Sequence, residues 1–227
     1  MLLKTKGVVL RFVKYKESSV IATIYTFEKG IVSVIANSVR SKNSRGKIAL
    51  FQPLSLVELI IYYNEAKNIS RVSEISSYNP LHNLRQDPIK ATISIFIIEL
   101  LNKSLKEEEG NPPFYNFIQN SIIHLDEQSK EVENFHLVFL IKLSLFLGFK
   151  PHSTVDFIQQ ISNSSFYNSH ETTSKLEELL IANYESSLDL SNHDRSTVLK
   201  DLLEYYQNHI NIGKINSISI LYELLHT

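Results

Sequence analysis

Apolar and polar residues alternate through the first 75 residues in the way that half-buried β-strands require. Five runs are rich in β-branched and aromatic residues: KGVVLRFV (6–13), SSVIATIYTF (18–27), IVSVIA (31–36), LSLVELIIYY (54–63) and ISRVSEI (69–75). Five strands, with the longest interruption between the third and the fourth, are typical of a Greek-key barrel such as the OB-fold, and an SH3-like barrel has a similar count. The pattern predicts an N-terminal β-barrel domain, which we place at residues 1–78.

From residue 79 onward the apolar residues follow the three-to-four-residue spacing of helices. Asp87 and Pro88 form a typical helix start, and helical patterns cover residues 89–105, 114–128, 132–148, 174–187, 195–210 and 215–225. The stretch 132–148 is apolar on nearly every side, as expected for the central helix of a bundle. Residues 79–227 therefore predict an all-α domain, within which the polar segment 152–173 is expected to be irregular.

The composition excludes several kinds of site. The 227 residues include no cysteine, which removes disulfides, a thiolate nucleophile and thiolate-bound zinc. The eight histidines are at least twelve residues apart, so no metal site is expected. Glu99 and Lys142 interrupt the longest apolar runs well before the roughly 18 residues of a membrane span, and the first residues lack the apolar core of a signal peptide. We expect a cytoplasmic protein.

Motifs for enzymatic chemistry are also missing. The six glycines form no GxGxxG motif, both Gly-Lys pairs lack the earlier glycine of a P-loop, and there is no GxSxG elbow. Carboxylate pairs such as Glu177 and Glu178 fall on predicted solvated faces, where acidic residues are ordinary. We expect no catalytic residue and no cofactor, and an enzyme is the least favoured class.

The charges are divided unevenly between the two halves. Residues 1–75 contain twelve Lys or Arg and five Asp or Glu, a net charge of +7, whereas residues 76–227 carry a net charge of −8. A basic half of this kind favours a polyanionic partner such as nucleic acid. The segment NSVRSKNSRGKI (37–48) alone holds four cations and no acid. The candidate phosphate contacts are Arg11, Lys14, Lys16, Arg40, Lys42, Arg45 and Lys47.

Aromatic residues of the predicted barrel are candidates for stacking on bases. We single out Tyr15, Phe51 and Tyr62. For any one ring the barrel core is the favoured place, because about half of the side chains in an alternating strand face inward.

Several short motifs resemble those of the RecO family of bacterial recombination mediators, in the family's order and spacing. In the barrel half the matching segments are Lys6 to Arg11, Tyr15 to Ser18, Tyr25 to Gly30, and Arg40 to Gly46 leading to Leu50, Gln52 and Pro53. In the helical half they are FHLVFLIKLSLFLGFKP and the terminal KINSISILYELL. Many family members carry a four-cysteine zinc module after the GFKP position, and this chain has none. The glycine that the family places before the basic arginine falls on Asn37 or Ser38.

The resemblance implies an α+β multidomain protein with an N-terminal OB-fold and a helical domain. It further implies a non-enzymatic, nucleoid-associated repair factor that binds single- and double-stranded DNA and anneals complementary strands. The implied partners are RecR, with which it loads RecA, and the acidic C-terminal tail of single-stranded-DNA-binding protein (SSB). In this context the basic segment 37–48 would contact phosphates.

Two other functions fit the same residues. An OB-fold RNA-binding adaptor would use the same basic segment and would prefer RNA hairpins over single-stranded DNA. A protein-interaction scaffold would use the acidic helical half against a basic partner and would show no salt-dependent DNA binding.

Overall fold

The structure, a computed structural model, describes residues 1–41, 46–106, 109–161, 167 and 169–225. The chain forms two compact units. The first consists of Met1–His82 and Leu105–Ile123, and the second of Asn83–Ser104 and His124–Thr227. Each unit is thus built from two separate segments of the chain, and the predicted domain boundary at residue 78 stays a prediction.

The first unit contains a closed five-stranded barrel. Its strands are β1 (Leu2–Tyr15), β2 (Ser19–Thr26), β3 (Gly30–Ala36), β4 (Leu56–Tyr62) and β5 (Ser70–Asn79), in the order β1-β2-β3-β5-β4. All neighbours are antiparallel except β3 and β5, which pair in parallel through Val34 with Ser70 and Ile35 with Arg71. This is the strand order of an OB-fold, so the predicted barrel is confirmed.

Alternating side chains fill the barrel. Val20, Ala22 and Ile24 of β2 and the alternate residues of β3 are buried, while the residues between them are partly exposed. Gly7 lies where the strands approach each other closely, because a Cβ atom on it would be 2.4 Å from Cγ2 of Ile24. A larger residue at this position would force β1 and β2 apart.

Aromatic side chains on the outside of the barrel are covered by helix α2 (Pro112–Glu127), whose residues up to Ile123 belong to the first unit. The ring of Tyr25 lies 5.7 Å from that of Phe114 and 6.3 Å from that of Tyr115. The hydroxyl groups of Tyr78 and Tyr115 are 3.0 Å apart, and burial raises the pKa of both. This helical segment is therefore part of the barrel's packing.

The remaining described helices are α1 (Pro88–Ser104), α3 (Phe135–Phe146), α4 (Thr154–Gln159), α5 (His170–Ile181), α6 (Asn192–Ile210) and α7 (Ile218–Leu225). Helix α3 is buried along most of its length, as its apolar sequence requires. The segment 152–173 contains α4 and the first turn of α5, and its residues 162–166 and 168 lie outside the described part. Among the described helices, each is too short or too polar to traverse a bilayer.

Glu99 of α1 fixes the beginning of α7 within the second unit. Its carboxylate accepts hydrogen bonds from the backbone amides of Asn216 and Ser217, both at 2.8 Å, and from the Ser217 hydroxyl. Burial opposes ionisation of Glu99, but these hydrogen bonds and Lys103 outweigh it and lower the pKa to about 2. The carboxylate thus satisfies amides that a helix N-terminus otherwise leaves unbonded.

We predict that Glu99→Gln lowers the free energy of unfolding by about 1–2 kcal/mol at neutral pH, because a neutral amide oxygen is a weaker acceptor than a carboxylate. A lowered carboxyl pKa contributes stability that is fully present above the ordinary pKa of 4.5 and is lost as the pH falls toward 2. Urea unfolding at about pH 7 and pH 3 measures the difference between wild type and variant. A difference of the same size at both pH values would contradict this role.

Candidate nucleic-acid interface

A β-bulge turns Arg11 to the outside of the barrel. The register of β1 with β2 shifts between Val9 and Arg11, so that Val9 pairs with Ile24 and Arg11 with Thr23. Strict alternation from the buried Val9 would direct Arg11 inward, but the inserted Leu10 reverses the phase. Arg11 is exposed, and its Nε donates a hydrogen bond to the Thr23 hydroxyl at 3.2 Å.

The turn between β1 and β2 presents two lysines and a tyrosine. Tyr15 pairs with Ser19 at the end of the hairpin, and Lys16 begins the turn with a left-handed φ of 49°. Lys14 and Lys16 are exposed, and the Tyr15 ring is 38% exposed. The Lys16 ammonium lies 5.4 Å from the centre of the Tyr15 ring. A cation and an accessible ring are thus adjacent at the tip of the hairpin.

Arg40 ties the segment after β3 to this turn. Its guanidinium donates hydrogen bonds to the carbonyl oxygens of Lys16 at 2.5 Å and Ser19 at 3.3 Å, and its backbone amide donates to the Ser18 carbonyl at 2.9 Å. Ser38 has a left-handed φ of 58°, so it occupies the conformation for which the family's glycine is suited. Arg40 is therefore a structural clamp as well as a charge.

The other predicted residues of the basic segment fall into two groups. Lys42 and Arg45 lie outside the described residues. Lys47 is exposed at the start of a short 3-10 helix, Lys47–Phe51, that follows Gly46 with its φ of 91°. Phe51 ends this helix with its side chain fully buried in the barrel core. A ring without an accessible face cannot stack on a base, so Phe51 is removed from the candidate interface.

We call Arg11, Lys14, Lys16 and Arg40 the turn cluster. Within the described residues none of them forms an ion pair with a carboxylate, whereas Lys4 pairs with Glu58 and Lys29 with Glu65 elsewhere on the barrel. The turn also holds one acidic residue, Glu17, which is exposed. Four cations against one carboxylate still leave a net positive charge, which attracts an anion. Their chemistry is that of phosphate binding, and no group of three or more potential metal-ligating side chains occurs in the described part of the chain.

Tyr62 does not belong to the turn cluster. It is the last residue of β4, pairs with Leu2 at the beginning of β1, and is 53% exposed. Lys14 is twelve residues further along β1, which corresponds to roughly 40 Å of strand at about 3.3 Å per residue. On the other side Tyr62 pairs with Arg71 of β5, an exposed residue that no sequence motif distinguishes. Only the strand register places this arginine beside the ring.

Known proteins match this chain along nearly its whole length. Residues 1–81 match the family model described as Recombination protein O N terminal, and residues 85–217 match Recombination protein O C terminal. The DNA repair protein RecO of Phocaeicola vulgatus is 35% identical and that of Bacteroides fragilis is 32% identical, with 99% of each chain covered. The protein of the same name from Flavobacterium psychrophilum is 32% identical with the same coverage.

We predict that Arg40→Ala lowers the free energy of unfolding by about 1–2 kcal/mol, because the turn loses two hydrogen bonds from a charged donor. Lys47→Ala is the matched control, since it removes an exposed cation of the same segment and should change stability by less than about 0.5 kcal/mol. Urea unfolding of both variants measures the effect. Equal stabilities for the two variants would show that the Arg40 clamp does not contribute.

Proposed function

The chain belongs to the RecO family of DNA repair proteins, and we propose that it acts as a non-enzymatic recombination mediator that binds single- and double-stranded DNA and anneals complementary strands. In this proposal it works in the cytoplasm at the nucleoid and, with RecR, loads RecA onto DNA coated by SSB. Neither a cofactor nor a metal ion takes part.

The observation that carries the proposal is the turn cluster. Its cations are held by a hairpin and by the Arg40 hydrogen bonds, so a phosphate backbone meets a preformed positive surface. Contacts of this kind release counter-ions and bind DNA with little dependence on sequence. The Tyr15 ring next to Lys14 and Lys16 adds a face on which one base can stack. Lys42, Arg45 and Lys47 extend the same phosphate contacts in our proposal.

Annealing follows from the same electrostatics. Two single strands repel each other through their phosphates, and a domain with a net charge of +7 over residues 1–75 lowers that repulsion without any bond being made or broken. Backbone contacts also leave the hydrogen-bonding edges of the bases free to pair.

The acidic tail of SSB needs cations beside apolar surface, and the second unit offers both. Lys142 of α3 has a lowered pKa, because burial and then the nearby positive charge of Lys150 disfavour its protonated form. On the same helix Leu145 is 59% exposed. A carboxylate-rich tail would relieve the repulsion between the two lysines and cover the leucine. We place the tail at this surface.

Single-stranded DNA binding tests the phosphate-contact role. We predict that Lys14→Ala/Lys16→Gly lowers the affinity for a labelled oligonucleotide about 5- to 20-fold near 0.1 M salt. The slope of log K against log salt concentration should decrease by about 1.4, or about 0.7 for each lost phosphate contact. Glycine is chosen at position 16 because it accepts the left-handed backbone. Fluorescence anisotropy at several salt concentrations gives both quantities.

The control for a simple loss of positive charge is Lys200→Ala, which removes an exposed lysine of α6. This variant should bind the oligonucleotide as the wild type does. Identical binding by the double variant and the control would exclude the turn cluster. A preference of the wild type for RNA hairpins over single-stranded DNA would favour the RNA adaptor, and absence of salt-dependent DNA binding would favour the protein scaffold. A Lys42→Ala/Arg45→Ala variant extends the same measurement to the rest of the basic segment.

The tail contact is tested with full-length SSB and with SSB lacking its acidic tail. We predict that Lys150→Glu weakens binding of full-length SSB at least about tenfold, since it replaces attraction by repulsion. The same variant should bind tail-less SSB and single-stranded DNA as the wild type does. Surface plasmon resonance measures all three. Undiminished binding of full-length SSB would remove this surface from consideration.

A further inference from the structure

Three residues from three different strands form an exposed row on the barrel. Leu2 of β1 pairs with Tyr62 of β4, and Tyr62 pairs with Arg71 of β5. Directly paired residues direct their side chains to the same face of a sheet. Leu2 is 60% exposed, Tyr62 is 53% exposed and Arg71 is exposed as well. We call these three residues the outer row.

The outer row faces away from the core in a well-defined register. The next residues on each strand, Leu3, Ile61 and Val72, pair with one another and pack in or against the barrel core. Because a shift by one residue would place these apolar side chains outside, the register is strongly determined. The Tyr62 ring is therefore held outward by the packing of its neighbours, with an apolar side chain on one side and a guanidinium on the other.

The charges around the outer row are of both signs. Lys4 forms an ion pair with Glu58 at 3.3 Å, and Lys6 lies over the Tyr78 ring at 4.9 Å. Glu74 is exposed and pairs with Ile60, in the row next to Tyr62. This surface differs from the turn cluster, whose cations form no ion pair within the part of the chain that the structure describes. An accessible aromatic ring suits base stacking, with the Arg71 guanidinium available for a neighbouring phosphate or for stacking.

From this arrangement we infer that the outer row is a second single-strand site, so that one barrel holds two strands at once. The inference rests on the proposed function and extends it. The turn cluster holds one strand through its phosphates, and the outer row, at the other end of β1, holds a second strand through one of its bases. Stacking covers the face of a base and leaves its Watson–Crick edge accessible, so a strand held in this way can still pair.

Two non-complementary oligonucleotides, one with a donor and one with an acceptor fluorophore, test the inference, because they cannot anneal and give energy transfer only when both are bound. Wild-type protein that has bound the first oligonucleotide should also bind the second. Light scattering should show that both oligonucleotides are bound to a single protein chain. Tyr62→Ala/Arg71→Ala should lower the affinity for the second strand at least about fivefold, the smaller end of the effect of losing one base stack. The affinity for the first strand and its salt dependence should stay unchanged.

Tyr62→Phe is the matched control, since it keeps the ring, and it should bind the second strand as wild type does. Equal second-strand binding by wild type and Tyr62→Ala/Arg71→Ala overturns the inference, as does co-binding that requires two protein chains. Binding of one strand without a second also overturns it and leaves the proposed function intact. Absence of any single-strand binding by the wild type would instead remove the proposed function itself.

Discussion

The close approach of strands at Gly7 determines how the barrel is closed. Gly7 and Val8 are the part of β1 that pairs with both β2 and β4, so the strand serves two neighbours at this point. A side chain at Gly7 would collide with Ile24, so the Ile24 side chain or one of the paired strands would have to move. Closure of the barrel leaves no free strand edges. Strand β1 is 14 residues long, which lets it pair with both of its neighbours. The turn cluster lies toward the C-terminal end of β1, and the outer row lies at its N-terminal end.

The polar surface at the turn depends on departures from regular strand geometry. The bulge after Val9 reverses the alternation and brings Arg11 to the outside. Lys16 and Ser38 both adopt left-handed backbone conformations, which are unfavourable for residues with a side chain. The Arg40 hydrogen bonds join the two segments that contain them. An unfavourable backbone conformation is thus accepted at Lys16 and Ser38, as is common where a protein binds a ligand.

In the second unit, several charged groups with little exposure are held by hydrogen bonds to the backbone. Lys90 is 5% exposed and donates a hydrogen bond to the Asp126 carbonyl oxygen, and the Asp126 carboxylate accepts from the amides of Asn83 and Leu84. Glu99 is satisfied in the same way by the start of α7. Buried charges are tolerated when hydrogen bonds replace their hydration. The turn cluster differs in its exposure, because Arg11, Lys14 and Lys16 are open to solvent and can reach an anion.

The strands, the strongly periodic helices, the family and the excess of positive charge in the first 75 residues can all be read from the amino-acid sequence alone. These properties are local: alternation sets strand faces, and Asp87 caps α1 by accepting hydrogen bonds from the amides of Ile89 and Lys90 two and three residues away. The folded chain is needed to see that Phe51 is core, that Tyr62 lies far from the basic turn, that Arg40 clamps the hairpin and that Arg71 lies beside Tyr62. Each of these features depends on contacts between segments that are distant in the sequence. The free energy that selects one strand register or one buried face comes from burying side chains of those distant segments against each other, so no short stretch of sequence reveals it.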